Sequence, residues 1–225
     1  MMIQLQACFN IQRFFCVIIL CCTAFAKADA QTATSIKNET QFSESEFTIV
    51  DIDIYQYLNL IIKTTNEDRV QITTSQNGEY KNAVILSGRV RNDSLLIRDP
   101  INPSFSFPED KLSAHKIIDG TAILILPRDK RLVINTNAAD ISITGDYKNI
   151  YVNQLSGTCK INKVEGNMHY ISVYADVFVE LKNYDIICRS KTGKISPFEK
   201  DKLIKYFATL ETVSGNITNS NKTKK

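Results

Sequence analysis

Between Asn149 and Gly193 the chain is written in lines of nine residues. Five consecutive lines share that length: 149–157, 158–166, 167–175, 176–184 and 185–193. Their second positions hold Ile150, Cys159, Met168, Val177 and Ile186, and their fourth hold Val152, Ile161, Tyr170, Val179 and Cys188. The third column mixes Tyr151, Lys160, His169, Phe178 and Ile187. Alternation of this kind describes a strand with one buried face, so the second and fourth positions point inward. The ninth position holds Gly157, Gly166, Ala175, Tyr184 and Gly193, where glycine permits the positive φ of a tight corner. Short strands of one length can form a meander or a stack of coils. A hairpin meander favours Asn-Gly or Asp-Gly turns, and none occurs between Gly145 and Gly193. We therefore expect a β-solenoid, in which equivalent lines stack and inward columns become apolar.

The rest of the chain keeps the same style. In Phe47 to Ile54, Val50, Ile52 and Ile54 share one face while Asp51 and Asp53 share the other. Leu58 to Thr65, Val70 to Ser75, Ala83 to Leu86 and Ser94 to Arg98 read as further strands, with turn signals at Asn66-Glu67-Asp68 and Asn77-Gly78. No stretch sustains helical spacing over three turns, so the class is all-β. Pro100, Pro103 and Pro108 remove backbone donors and fix φ, which makes this stretch a connection and not a central strand. The expected organisation is a leader at 1–30, a polar lead-in at 31–44, an N-terminal strand region at 45–98 and a proline-rich connection at 99–116. The repeat region follows at 117–213, then a polar, basic tail at 214–225.

The leader is read from Arg13, the apolar run Phe14 to Leu20, and the small-residue sites Ala24-Phe25-Ala26 and Ala28-Asp29-Ala30, the grammar of a secretory signal peptide. The run is too short for a membrane anchor, which needs about 20 apolar residues. Removing Arg13, Lys27 and Asp29 with the leader leaves Lys+Arg 25 against Asp+Glu 23. That balance, with no clustered basic face, gives no case for a nucleic-acid partner. Cys8, Cys16, Cys21 and Cys22 fall inside the leader. Only Cys159 and Cys188 remain, which excludes a disulfide scaffold or a cysteine metal cluster.

The segment Leu124-Ile125-Leu126-Pro127, a charged turn, Leu132-Val133-Ile134-Asn135-Thr136, Asp140-Ile141-Ser142-Ile143-Thr144-Gly145 and the strand-plus-glycine lines resembles a family. It is that of the adhesin-like proteins of bacterial envelopes, also described as autotransporter-adhesin-like head domains and common in the Bacteroidetes. The resemblance covers about 120–196 and extends more loosely over 45–98. Ala138-Ala139, Ala175 and Tyr184 depart from its glycine positions. What the resemblance implies is a right-handed β-solenoid-like fold, an exported location in the periplasm, on the outer membrane surface or outside the cell, and no catalytic residues to carry over.

Catalysis needs a positioned base or nucleophile, and the two histidines, His115 and His169, lie in no G-x-S-x-G or H-E-x-x-H context. No enzyme, metal site or cofactor is expected. Tyr147, Tyr151, Tyr174, Phe178 and Tyr184 are expected to lean outward as an aromatic platform for a glycan, an envelope protein or a second copy. Other recognition is expected at line positions that do not repeat, such as Gln154 against Lys163. Cys159 and Cys188 read equally as a disulfide and as two buried thiols. With three lines per coil they would sit on neighbouring coils, two positions out of register. The sequons at Asn38, Asn92, Asn216 and Asn221 matter only in a eukaryotic secretory path. A polysaccharide-active enzyme would instead need Asp51, Asp53, Asp140 or Asp176 to converge. A self-associating spacer would use unpaired end strands, with the tail from Ser214 as their cover.

Overall fold

The computed structural model describes residues 47–77, 82–106 and 119–222, all within one compact unit, Thr34–Lys225. The leader, the polar lead-in, the Asn38 sequon and His115 lie outside the described residues. The strands are β1 (Ile49–Ile54), β2 (Asn59–Thr65), β3 (Gln71–Asn77), β4 (Ser87–Arg91), β5 (Ser94–Arg98), β6 (Asp119–Pro127) and β7 (Arg131–Thr136). They continue with β8 (Asp140–Gln154), β9 (Thr158–Ser172), β10 (Asp176–Glu180), β11 (Tyr184–Ser190), β12 (Tyr206–Thr212) and β13 (Ile217–Asn219). A 3-10 turn, Ser220–Lys222, follows. Among the described residues no helix is long and apolar enough to cross a membrane.

All thirteen strands belong to one curled, open sheet. It curls because β8 and β9 each span 15 residues and turn a corner midway. The second half of β8 pairs with β7, and its first half pairs with β2. One flank therefore runs β4-β5-β1-β7-β8-β9-β12-β11, and the other runs β3-β6-β2-β8-β9-β10-β13. Every pairing is parallel except β3 with β6 and β4 with β5.

In the middle of the sheet the pairing step is two lines. Leu132 pairs with Ile150 and Ile150 with Met168 on the first flank, while Ile141 pairs with Cys159 and Cys159 with Val177 on the second. All six are buried, so the columns legible in the sequence point inward in alternating sets, one per flank. Both sets join a single apolar core. The corner between flanks carries register shifts at Ile143/Gly145 and Asp146/Asn149. Gly166 has φ +116°, and a Cβ there would overlap the Tyr147 carbonyl oxygen, so the close stacking of this corner requires glycine.

The two ends are built differently. β1 lies between β5 and β7, and β2 lies between β6 and β8. Likewise β12 lies between β9 and β11, and β13 lies between β10 and Ile195. The first described strand pair and the last are thus inserted between strands that the local chain order would leave adjacent. Residues on both sides of the proline-rich connection share one sheet. The tail expected from Ser214 contains a sheet strand, because Ile217 and Asn219 face inward and are buried.

Two local differences have clear causes. Ala83 to Leu86 is not a strand; Val84 makes a single antiparallel bridge to Ile101. The neighbouring Ser87–Arg91 is one, closed onto β5 by a two-residue turn in which Asn92 and Asp93 have φ of 49° and 61°. Both central residues in the left-handed region make a hairpin turn, a signal hidden by the polar residues around it.

Candidate interaction surface

On the outer side of the first flank, strand register assembles rows of side chains from distant lines. Val133, Tyr151, His169, Thr209 and Ile187 stand side by side on β7, β8, β9, β12 and β11. The Arg131 guanidinium carbon lies 4.7 Å from the centre of the Tyr151 ring. The His169 ring meets Tyr151 edge-on, with centroids 6.5 Å apart and planes at 63°. Asn135, Asn149, Asn153 and Asn167 flank this group along the same strands. The Asn167 Oδ1 accepts the Phe207 N–H at 3.1 Å. The group is an aromatic ring with a cation stacked on it, rimmed by amides that both donate and accept.

Apolar side chains surround it. Phe207 is 61% exposed, and Ile171 and Ile187 are also exposed on this face. At the adjoining corner Leu155, Tyr174 and Val213 are exposed, Tyr174 by 64%. Their place is set by backbone bonds between coils: Leu155 N–H to Thr136 O, Tyr174 N–H to Leu155 O and Val213 N–H to Ser172 O. Scattered exposed apolar residues are ordinary, but a contiguous set on a rigid parallel sheet marks a contact surface.

The five expected platform residues separate. Tyr151 belongs to the outer surface of the first flank and Tyr174 to its corner. Phe178, half-buried, faces outward on the second flank between Lys160 and Thr218. Tyr147 and Tyr184 do not lean outward: they are 3% and 1% exposed. Tyr147 keeps the inward phase of Ile141 and Ile143, and the register shift before Asn149 changes that phase for Ile150 and Val152; the Tyr147 hydroxyl donates to Thr144 O at 3.0 Å. Tyr184 stands two residues before Ile186 on β11 and so shares its inward face; its hydroxyl donates to Gly166 O at 2.8 Å. Burial pushes both phenols well above their ordinary value. Gln154 is also fully buried, donating to Ala139 O at 2.7 Å and accepting from the Tyr170 hydroxyl at 3.0 Å. It is therefore a core residue, not a recognition position.

The nine-residue columns give no signal for Arg131, Ile171 and Phe207 on this face, or for Leu155 and Val213 at its corner. The signal that finds part of the surface is the two-line step. It splits the mixed third column into Tyr151, His169 and Ile187 on one flank and Lys160 and Phe178 on the other. Phe207 could not be found this way, because β12 lies outside the repeat.

The acidic residues are committed elsewhere. Asp51 and Asp53 face Arg98, at 3.3 Å and 3.4 Å. Asp140 Oδ1 accepts the Thr158 N–H and hydroxyl, each at 2.8 Å. Asp176 Oδ1 accepts the Asn216 backbone N–H at 2.7 Å, and Asn216 Oδ1 accepts the Lys194 N–H at 2.9 Å. The four carboxylates do not converge; the last two begin lines and tie one coil to the next. A cleft of about 270 Å³ does gather Asp146, Glu165 and Glu180, but interleaved with Lys163 and Lys182. There Asp146 pairs with Arg128 at 3.1 Å, and the Tyr206 hydroxyl donates to Glu165 at 2.8 Å. Among the described residues no three His, Cys, Asp or Glu side chains group as a metal site requires. Cys159 and Cys188 are free thiols on different flanks, Cys159 between Ile141 and Val177 and Cys188 beside Leu210. Burial pushes the Cys188 thiol up to about 11, and Cys159, fully buried, higher still.

No protein-family model matches the chain, and no curated protein matches it. Solved structures do. A "putative cell adhesion protein" from Clostridium sporogenes is 9% identical, with 83% of this chain and 99% of that one covered and a TM-score of 0.54. A "putative adhesin" from Bacteroides fragilis is 11% identical over 82% and 97% of the two chains, TM-score 0.37. One from Parabacteroides distasonis is 10% identical over 83% and 98%, TM-score 0.26. The likeness to the Clostridium sporogenes structure is one of fold. Fold and surface together define a class, an all-β protein of curled parallel sheet with an apolar, aromatic outer face.

Proposed function

We propose that this chain is a non-catalytic, exported envelope or surface interaction protein of adhesin-like type. It binds through the outer face of a right-handed β-solenoid. The observation that carries the reading is the surface around Tyr151, where Arg131, Ile171, Phe207 and Ile187, exposed on four different strands, surround the half-buried His169. A rigid strand stack presents such a patch without ordering cost on binding. Right-handedness follows the general rule for crossovers between parallel strands. The leader read at 1–30 and the names given to the structures of like fold point the same way for location.

The test uses the secreted chain against immobilised envelope polysaccharides, host-type glycans and whole bacterial cells. Tyr151→Ala together with Phe207→Ser is expected to abolish retention on the surface that holds the wild type, while Phe178→Ser leaves it intact. Equal retention of both variants, or no retention of the wild type on any of these surfaces, overturns the reading.

A further inference from the structure

We propose that the C-terminal strand pair, β12 with β13, is an exchangeable insert, and that the slot it fills can take the same pair from a second copy of this chain. The inference rests on topology and is independent of the outer-face reading.

The slot has two walls. One is the second half of β9 with β10; the other is β11 with Ile195. These walls are successive members of the eighteen-residue repeat: Met168 is matched by Ile186, Tyr170 by Cys188 and Val177 by Ile195. The repeat is complete across the slot without the insert, yet β12 and β13 separate its members. Met168 pairs with Ala208, and Ala208 with Ile186, forty residues downstream and then back. On the other flank Val177 pairs with Ile217, which bridges to Ile195.

The insert copies a rung of the repeat so closely that the slot accepts it in register. Ala208, Leu210 and Ile217 are buried in the inward columns. Gly215 takes the corner position between Ala175 and Gly193, where a Cβ would overlap the Ala175 carbonyl oxygen. Asn216 relays the side-chain ladder, accepting from Lys194 and donating to Asp176. Each of these contacts is made with a wall of the slot, so a second copy's insert would re-form all of them.

The connection permits the exchange. From Ile195 the chain passes through the ten residues Ser196 to Lys205 before β12 begins. In one chain this segment has only to cross between flanks about 10 Å apart and step back by one strand spacing of about 5 Å. Extended, it spans about 33–36 Å. A segment of that length also reaches a neighbouring copy, and exchange of an identical element between protomers is a low-cost route to dimers.

The test places single cysteines at Ile187 and Thr209, which face each other across β11 and β12, a separation a disulfide can bridge. Ile187→Cys and Thr209→Cys are made in separate chains carrying Cys188→Ser, mixed unfolded, refolded together at increasing concentration and oxidised. A disulfide-linked pair of one chain of each kind is expected, several-fold above same-variant dimers, and lost when the two proteins are folded before mixing. The double variant in one chain, expected to close its disulfide internally, shows that the slot has formed. Closure in the double variant with no mixed pair at any concentration overturns the proposal. So does light scattering that finds only monomer after refolding the unaltered chain across the same concentration range.

Discussion

The middle of the sheet and its two ends use the same kind of rung but assemble it in opposite ways. From β7 to β10 each rung pairs with the one before it in sequence, eighteen residues away. At the ends, β1–β2 and β12–β13 enter between rungs that follow one another in chain order, and only β12–β13 separates members of the eighteen-residue repeat. In the middle, corner N–H groups bond to the carbonyls of the preceding coil, as Ser156 does to Asn137. At the corner after β1 that carbonyl row is missing, because the chain leaves the stack after β5. There the buried Asp99 carboxylate, distant in sequence, accepts the N–H groups of Tyr55, Gln56 and Tyr57 at 2.9, 2.6 and 3.1 Å. A repetitive stretch satisfies its backbone by repetition; an inserted rung needs a dedicated partner.

The comparison breaks most sharply under deletion. Removing 149–166, two lines, brings Leu132 opposite Met168 and should leave a shorter chain that still unfolds cooperatively. Removing only 158–166 sends every later line to the wrong flank and should abolish the cooperative transition in circular dichroism. Substitution is milder. Ile150→Ala should cost about 4 kcal/mol of global stability, within the range for a fully buried aliphatic. Leu210→Ala, equally buried, should cost about 3 kcal/mol but appear as local opening: hydrogen exchange should accelerate in β12 and β13 before β8 and β9.

Asp99→Ala should cost about 2 kcal/mol, the penalty of leaving buried donors unpaired, against near-neutral effects for exposed carboxylates such as Asp68. Burial raises the Asp99 carboxyl above its ordinary value, with the backbone N–H groups of Tyr55, Gln56, Tyr57 and Asp99 itself opposing. The folded chain therefore holds that proton more tightly than the unfolded one. Its contribution is fully present below the ordinary carboxylate value and declines as pH rises through the raised one. Asp99→Asn should flatten this part of the stability profile in an acid titration. The smallest effect concerns Cys188. With its thiol raised to about 11, it should react more slowly with a disulfide reagent at pH 9 in the folded chain than in urea, and Cys159 should not react until the chain unfolds.

The strand content, the nine-residue lines and the inward columns were legible in the sequence because they are local. Alternation is set by neighbouring Cβ atoms pointing to opposite faces, and Ile150, Val152, Cys159 and Ile161 obey it wherever the coil closes. The burial of Tyr147 follows the alternation of Ile141 and Ile143 but is masked by the change of phase before Ile150; that of Tyr184 was not legible, because it reads as a corner residue and begins a strand. The candidate surface was legible at Tyr151, Tyr174 and the outward His169. Arg131, His169 and Ile171 are brought beside Tyr151 by the register of β7, β8 and β9, and Phe207 by β12, which is not their neighbour in sequence. Only the tertiary structure decided that strands pair at a step of two lines, that β1 and β12 enter between other strands, and that Phe207 lies beside Asn167. Parallel pairing accepts any rung of matching alternation, so the local pattern states what can stack. Which rung stacks on which follows from the connections, the corner contacts and long-range partners such as Asp99.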